Sequence, residues 1–111
     1  MKAAVIGGGP AGLFFALLLK KAEPKHEVQV YERNRLEDTF GFGVVFSDAT
    51  EAALEHADPE VIAEMGARCH RWDDIEIHYT GMVLRSTGHG FSGLSRKTLL
   101  ALLADRCRAS G

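Results

Sequence analysis

The sequence predicts an α/β fold built on one βαβ unit, and three adjacent observations carry that expectation. A short apolar run, Lys2 to Ile6, leads into a glycine-rich turn. The turn opens an apolar stretch of helical length, and an alternating, β-branched run from Glu27 to Tyr31 ends directly in Glu32. Within the turn Gly7, Gly9 and Gly12 have the G-x-G-x-x-G spacing, with Pro10 and Ala11 between the last two. Each glycine has a use: the first turns sharply out of the strand, the second lets the backbone approach a pyrophosphate, and the third lets the helix pack close to the sheet. The anion would rest on the N–H groups left unpaired at the helix start.

The elements follow in order. KAAVI at Lys2 to Ile6 has little polarity, as expected of a strand buried on both faces. Ala11 to Ala22 reads as a helix, with Lys20 and Lys21 suited to its last turn and Pro24 as its stop. After the strand EVQVY, Glu32 stands roughly 20 residues past the glycines, where an acid can accept a hydrogen bond from a ribose. Residues 33 to 46 form a long glycine-containing loop that ends in a brief apolar run. Ser47 or Asp48 then caps a helix to about His56, with Asp48 and Glu51 in capping-box spacing. Asp58 and Pro59 start another helix that Gly66 closes.

Beyond Gly66 the period changes from helical to alternating. Ile75, Ile77 and Tyr79 share one face of a strand, Thr80 and Gly81 make a tight turn, and Met82 to Ser86 returns as the hairpin partner. Ser95 caps a last helix to Arg108 that carries Leu99, Leu102 and Leu103 on one face, and Gly111 suits its C-cap. Only Lys2 to Ile6 and Glu27 to Tyr31 read as parallel strands, so the sheet is incomplete for a doubly wound fold.

Composition narrows the function. The formal net charge is −2, and the basic residues are scattered, which argues against a nucleic-acid partner. Arg68, His70 and Arg71 are interleaved with Asp73 and Asp74 and read as a solvated face. No apolar run reaches the roughly 20 residues that span a bilayer. Gly7 to Pro10 would break a secretory signal helix, so a cytoplasmic chain is expected. Cys69 and Cys107 lack any C-x-x-C spacing and are expected as free thiols, and the five histidines show no metal-ligand spacing.

Taken together, IGGGPAGLFFALLL, YERN, DTFGFGVVFSD and SRKTLLALL resemble the amino-terminal part of the FAD-dependent aromatic hydroxylases of the para-hydroxybenzoate hydroxylase class. The RWDDI and STGHGF segments are most similar to the branch acting on coenzyme A thioesters. The resemblance implies a Rossmann-like FAD-binding fold of the glutathione-reductase type, a βαβ core with an added β-hairpin. It implies that Gly7, Gly9, Pro10, Ala11 and Gly12 hold the FAD pyrophosphate, that Glu32 accepts from the adenosine ribose, and that Arg33 lies beside the adenine. It also implies that Arg96 reaches the FAD from the start of the last helix, and that the loop from Phe40 to Ser47, with Gly41, Gly43, Val44 and Val45, borders the flavin ring. No catalytic side chain or metal is implied.

In that class NAD(P)H reduces the flavin and oxygen is transferred to an electron-rich aromatic ring, here expected as an aromatic small molecule or acyl-CoA. By the same resemblance residues 1–111 are a single, amino-terminal part of an FAD-binding domain, ending before the later segments that contact FAD and before the substrate sheet. Little or no activity or FAD binding is then expected of the chain alone, and its open sheet edges invite self-association. Two other readings fit the same turn: a non-catalytic nucleotide-fold remnant or association module, and an NAD(P)-binding oxidoreductase domain, which Glu32 serves equally well.

Overall fold

The computed structural model describes residues 1–38 and 41–111. It has the predicted α/β class. Strand β1 (Lys2–Ile6), helix α1 (Pro10–Ala22) and strand β2 (Glu27–Tyr31) form the βαβ unit, with β1 and β2 parallel from Lys2 opposite Glu27 to Ile6 opposite Tyr31. Strand β3 (Gly43–Ser47) follows, then helices α2 (Asp48–Ala57) and α3 (Pro59–Gly66). Strands β4 (His70–Trp72), β5 (Ile75–Tyr79), β6 (Met82–Ser86) and β7 (Phe91–Ser95) lead into helix α4 (Arg96–Ala109). Beside the parallel pair stand an antiparallel sheet of order β3-β7-β4 and the β5-β6 hairpin.

The core lies between helices rather than between sheets. Leu13 and Leu17 of α1, Val61 and Met65 of α3, Leu94 of β7 and the Leu99, Leu100, Leu102, Leu103 and Ala104 run of α4 form one buried cluster. Burial of each large side chain stabilises by about 1.5–3 kcal/mol. Helix α4 buries more of its circumference than its predicted leucine face, because it wedges between α1 and α3. Buried Asp58 joins two of these helices: its Oδ1 caps α3 by accepting from the N–H groups of Glu60 (3.1 Å) and Val61 (3.3 Å), and it pairs with Lys21 of α1 at 2.9 Å.

Four expectations need correction. Strand β1 is covered on one face only, by α1; Ile6 is 82% exposed on the other, with Tyr31 beside it on β2. The α2 cap is Ser47, whose hydroxyl accepts from Thr50 N–H; Asp48 and Glu51 form no capping box and instead both pair with Arg71 at 3.0 Å. Arg71 is therefore a tie between β4 and α2, not merely part of a solvated face. Gly66 is the last residue of α3 rather than its αL terminator, since the cap is Ala67 in the right-handed region. By contrast Gly111 does follow the α4 cap at φ +88°, its N–H bonding Arg108 O.

The hairpin turn is as read. Thr80 and Gly81 both take positive φ, the two-residue turn whose twist matches that of the strands. Its register places Ile75, Ile77, Tyr79, Met82 and Leu84 on one face and the Glu76–Arg85 ion pair on the other. Every residue of β5 and β6 is exposed, so the hairpin stands off the body. The radius of gyration, 16.8 Å, accordingly exceeds the roughly 13 Å of a compact chain of this length. Among the described residues no helix is long and apolar enough to cross a membrane.

Candidate functional site

The glycine turn is shaped by contacts that sequence spacing only implies. Gly7 takes φ +110° as the chain leaves β1, and its N–H bonds Tyr31 O at 2.8 Å, extending the parallel ladder by one residue. A Cβ at Gly12 would collide with the Gly7 carbonyl oxygen, so this glycine lets α1 lie against the turn. A Cβ at Gly9 would meet nothing nearer than the Arg96 guanidinium at 3.9 Å, which leaves room for ligand atoms. Helix α1 has Gly9 as its N-cap, Pro10 in its first turn, no acid there and no side-chain cap. The first intrahelical bond runs from Leu13 N–H, so the Ala11 and Gly12 N–H groups have no intrahelical acceptor. This arrangement suits a phosphate.

Glu32 stands beside the turn, at the end of β2. One carboxylate oxygen accepts from Gly8 N–H at 2.8 Å and the other from Asn34 N–H at 2.9 Å. Gly8 must be glycine for this, because a Cβ would stand 2.9 Å from Glu32 Cβ. The amides of Asn34 and Gly8, aided by Arg33, hold the Glu32 carboxyl below the usual glutamate range. Each carboxylate oxygen keeps a second lone pair for a ribose hydroxyl. A depressed folded pKa means that the stabilisation is fully present above the unfolded value and is lost as the pH falls through the folded one. The Gly8 and Asn34 amide resonances are therefore expected to titrate together, with an apparent pKa below that of an ordinary glutamate. Titration at the ordinary value would sink the clasp.

The fold brings these groups together. A cleft of ≈ 60 Å³ is lined by Gly8, Gly9, Glu32, Asn34, Arg35 and Arg96, and one of ≈ 290 Å³ shares Gly8, Glu32 and Asn34 and is otherwise lined by Leu13, Val30, Cys107 and Arg108. Arg96, half-buried, forms no ion pair among the described residues, and its backbone N–H is bonded to Phe42 O at 3.2 Å. Arg33 is exposed and lines neither cleft; Arg35 does instead. Pro10 and Ala11 also border a wholly apolar cavity of ≈ 160 Å³ with Phe14, Phe46, Val61 and Leu99.

In the loop before β3, Phe40 lies outside the described residues, whereas Gly41 is at φ +88° with the Arg96 side chain near its Cβ position. Gly43 is close to β7: a Cβ would stand 2.9 Å from Leu94 O. Val44 turns inward opposite Leu94, while Val45, 59% exposed, faces outward. Sequence spacing misses Gly8, Asn34 and Arg35. The available signal for Asn34 is local, since an acid at a strand end commonly accepts from the N–H two residues on. Cys69 and Cys107 are both free thiols; Cys107 Sγ donates to Leu13 O at 3.2 Å, and burial pushes its pKa up. Among the described residues no group of three or more His, Cys, Asp or Glu could hold a metal ion.

A parallel βαβ unit with a glycine turn at its first helix and an acid at the end of its second strand defines a dinucleotide-binding module. The chain belongs to the NAD(P)-binding Rossmann-like domain family, whose model matches residues 5–78. It is similar to a salicyloyl-CoA 5-hydroxylase from a Streptomyces species, 54% identical over all of this chain and 22% of that protein. It is also similar to 3-hydroxy-4-methyl-anthranilyl-(aryl-carrier protein) 5-monooxygenase of Streptosporangium sibiricum, 31% identical over all of this chain and 32% of that protein. A solved structure of 2-methyl-3-hydroxypyridine-5-carboxylic acid oxygenase superposes with a TM-score of 0.82 at 26% identity, over 99% of this chain and 30% of that one. The chain thus spans about a fifth to a third of the length of these curated relatives.

Proposed function

We propose that the Gly7–Gly12 turn holds the pyrophosphate of FAD, and that residues 1–111 are the amino-terminal part of the FAD-binding domain of a flavoprotein monooxygenase. The observation that carries this reading is the convergence of Gly9, Glu32 and Arg96 on one cleft at an uncapped helix start. The Ala11 and Gly12 N–H groups would meet phosphate oxygens, with Pro10 fixing the helix entry. Arg96 would pair with a phosphate or ribityl oxygen through its planar fork. Glu32 would accept from the adenosine ribose, Arg33 would lie beside the adenine, and the Gly43–Val44 backbone would border the ring.

The likeness to proteins named for an aromatic acyl group on coenzyme A or on a carrier protein supports an aromatic thioester as the substrate class. The chemistry that bound FAD would supply there is activation of O2 with electrons from NAD(P)H, one oxygen atom going to the ring and the other to water. This chain's residues bind and orient, and Val45 adds apolar cover against water. Titration followed by flavin emission tests the reading. Residues 1–111 alone are expected to bind FAD weakly, yet more tightly than NADH, and Arg96→Ala to weaken FAD by roughly tenfold or more, the worth of a charge-assisted hydrogen bond. NADH binding the tighter of the two would favour the nicotinamide reading that the family description supports.

The apolar hairpin face supports self-association as a further part of this reading. Sedimentation is expected to find concentration-dependent association that is abolished when Ile77 and Leu84, opposite one another on that face, are both changed to Lys. Association that survives the double change would remove the hairpin from the contact.

A further inference from the structure

The outer face of the β3-β7-β4 sheet carries a surface that the phosphate cradle does not use. We propose that Trp72 is the platform of a subsite for the aromatic ring of an aryl thioester, an inference that rests on the substrate class given above. The register sets Trp72 opposite Phe91 and puts Gly93 diagonally beside it. A Cβ at Gly93 would stand 3.1 and 3.2 Å from two carbons of the indole, so only glycine lets that ring lie down on the strand. Phe91 supports the indole at 5.9 Å between centroids, and His89 stacks on Phe91 at 5.4 Å with an interplanar angle of 3°. The indole is therefore held from beneath and from one side.

Its remaining surface is open. Trp72 is 38% exposed, and Val45, across Gly93 in the register, is 59% exposed. Gly43, Val45, Phe91, Gly93 and Trp72 give this face no formal charge, and only His70 and the serines Ser47 and Ser95 are polar on it. A fixed, uncharged indole beside a β-branched side chain offers offset stacking to a planar ring and no charged group to pair with an anion.

The face is also continuous with the dinucleotide cleft. The Arg96 guanidinium stands 3.9 Å from the Cβ position of Gly9, and the Arg96 side chain is equally near that of Gly41. Gly43 pairs with Ser95, the cap of the Arg96 helix, and two residues further along, Val45 pairs with the glycine beneath Trp72. A ring seated on Trp72 thus lies on the sheet surface that begins at the cradle's arginine.

Trp72 is the chain's only tryptophan, so its emission reports on the subsite directly. The probes are S-benzoyl-N-acetylcysteamine and S-acetyl-N-acetylcysteamine, which share the thioester and lack any nucleotide. The benzoyl probe is expected to change Trp72 emission saturably at low millimolar concentration, and the acetyl probe to leave it unchanged. By line broadening of the probe's ring protons, Trp72→Phe retains most of the binding and Trp72→Ala weakens it roughly three- to tenfold. Equal responses to both probes, or an unchanged benzoyl affinity in Trp72→Ala, overturn the subsite. FAD titrated in parallel separates the two readings: if FAD binds and the benzoyl probe does not, the subsite alone fails. If FAD itself quenches Trp72 while the benzoyl probe has no effect, the face belongs to the flavin ring and the proposal is overturned.

Discussion

Gly12→Ala is expected to destabilise the chain by about 2–3 kcal/mol, and Gly12→Val to prevent folding. The new methyl would be driven into the Gly7 carbonyl oxygen, with the Gly7 carbonyl carbon at 3.1 Å and Val5 Cγ1 at 3.4 Å close behind. Two of these three obstacles are backbone, and they belong to the turn that α1 must abut. Relief requires moving the helix away from β1, which would disturb Leu13 and Leu17 in the core. Such a loss is a large fraction of the few kcal/mol that stabilise a small domain. Gly66→Ala provides the contrast. Gly66 lies in the last turn of α3 with nothing within 4 Å of its Cβ position, so the same change is expected to stabilise by about 0.5–1 kcal/mol. Chemical denaturation of the two variants checks both; similar midpoints would contradict the packing role of Gly12.

Asp58→Ala is expected to cost about 2–4 kcal/mol, the second-largest single effect. The carboxylate is fully buried and joins three groups through Oδ1: the Glu60 and Val61 amides at the start of α3 and the Lys21 ammonium of α1. Lys21 is 37% exposed, so on losing its partner it turns to water and strands no charge. The cost is therefore the cap and its hydrogen bonds. Asp58→Asn keeps the shape and the accepting oxygen and replaces the unpartnered Oδ2 with an amide nitrogen. It is expected to lose less than half as much. Thermal unfolding of the pair measures this, and equal losses would show that the charge, not the cap, dominates.

The βαβ unit was legible because its signals are local. Strand, glycine turn, apolar helix and terminal acid lie within one short stretch, and the Thr80-Gly81 turn with its alternating flanks is similarly self-contained. The β3-β7-β4 sheet was not legible. HRW is three residues long, FSGLS has a central glycine, and neither shows a run long enough to read as a strand alone. They become strands by pairing with each other and with GVVFS, across separations that spacing rules do not see. Strand β1 misled for a related reason: an apolar composition reports what a strand can bury, not whether a second layer lies over it. Of the candidate site, the motif glycines, Glu32 and Arg96 were readable. Gly8 was not, because its role depends on how closely the Glu32 side chain passes.

The proposed dinucleotide cradle joins the Gly7–Gly12 turn, Glu32 and Arg96. Two-dimensional amide spectra recorded as FAD is added test it most directly. The largest shifts are expected at Gly8, Gly9, Ala11, Gly12 and Asn34, and they are expected to be lost in Arg96→Ala. Shifts confined to residues away from the turn, or none at FAD concentrations where flavin emission changes, would contradict it.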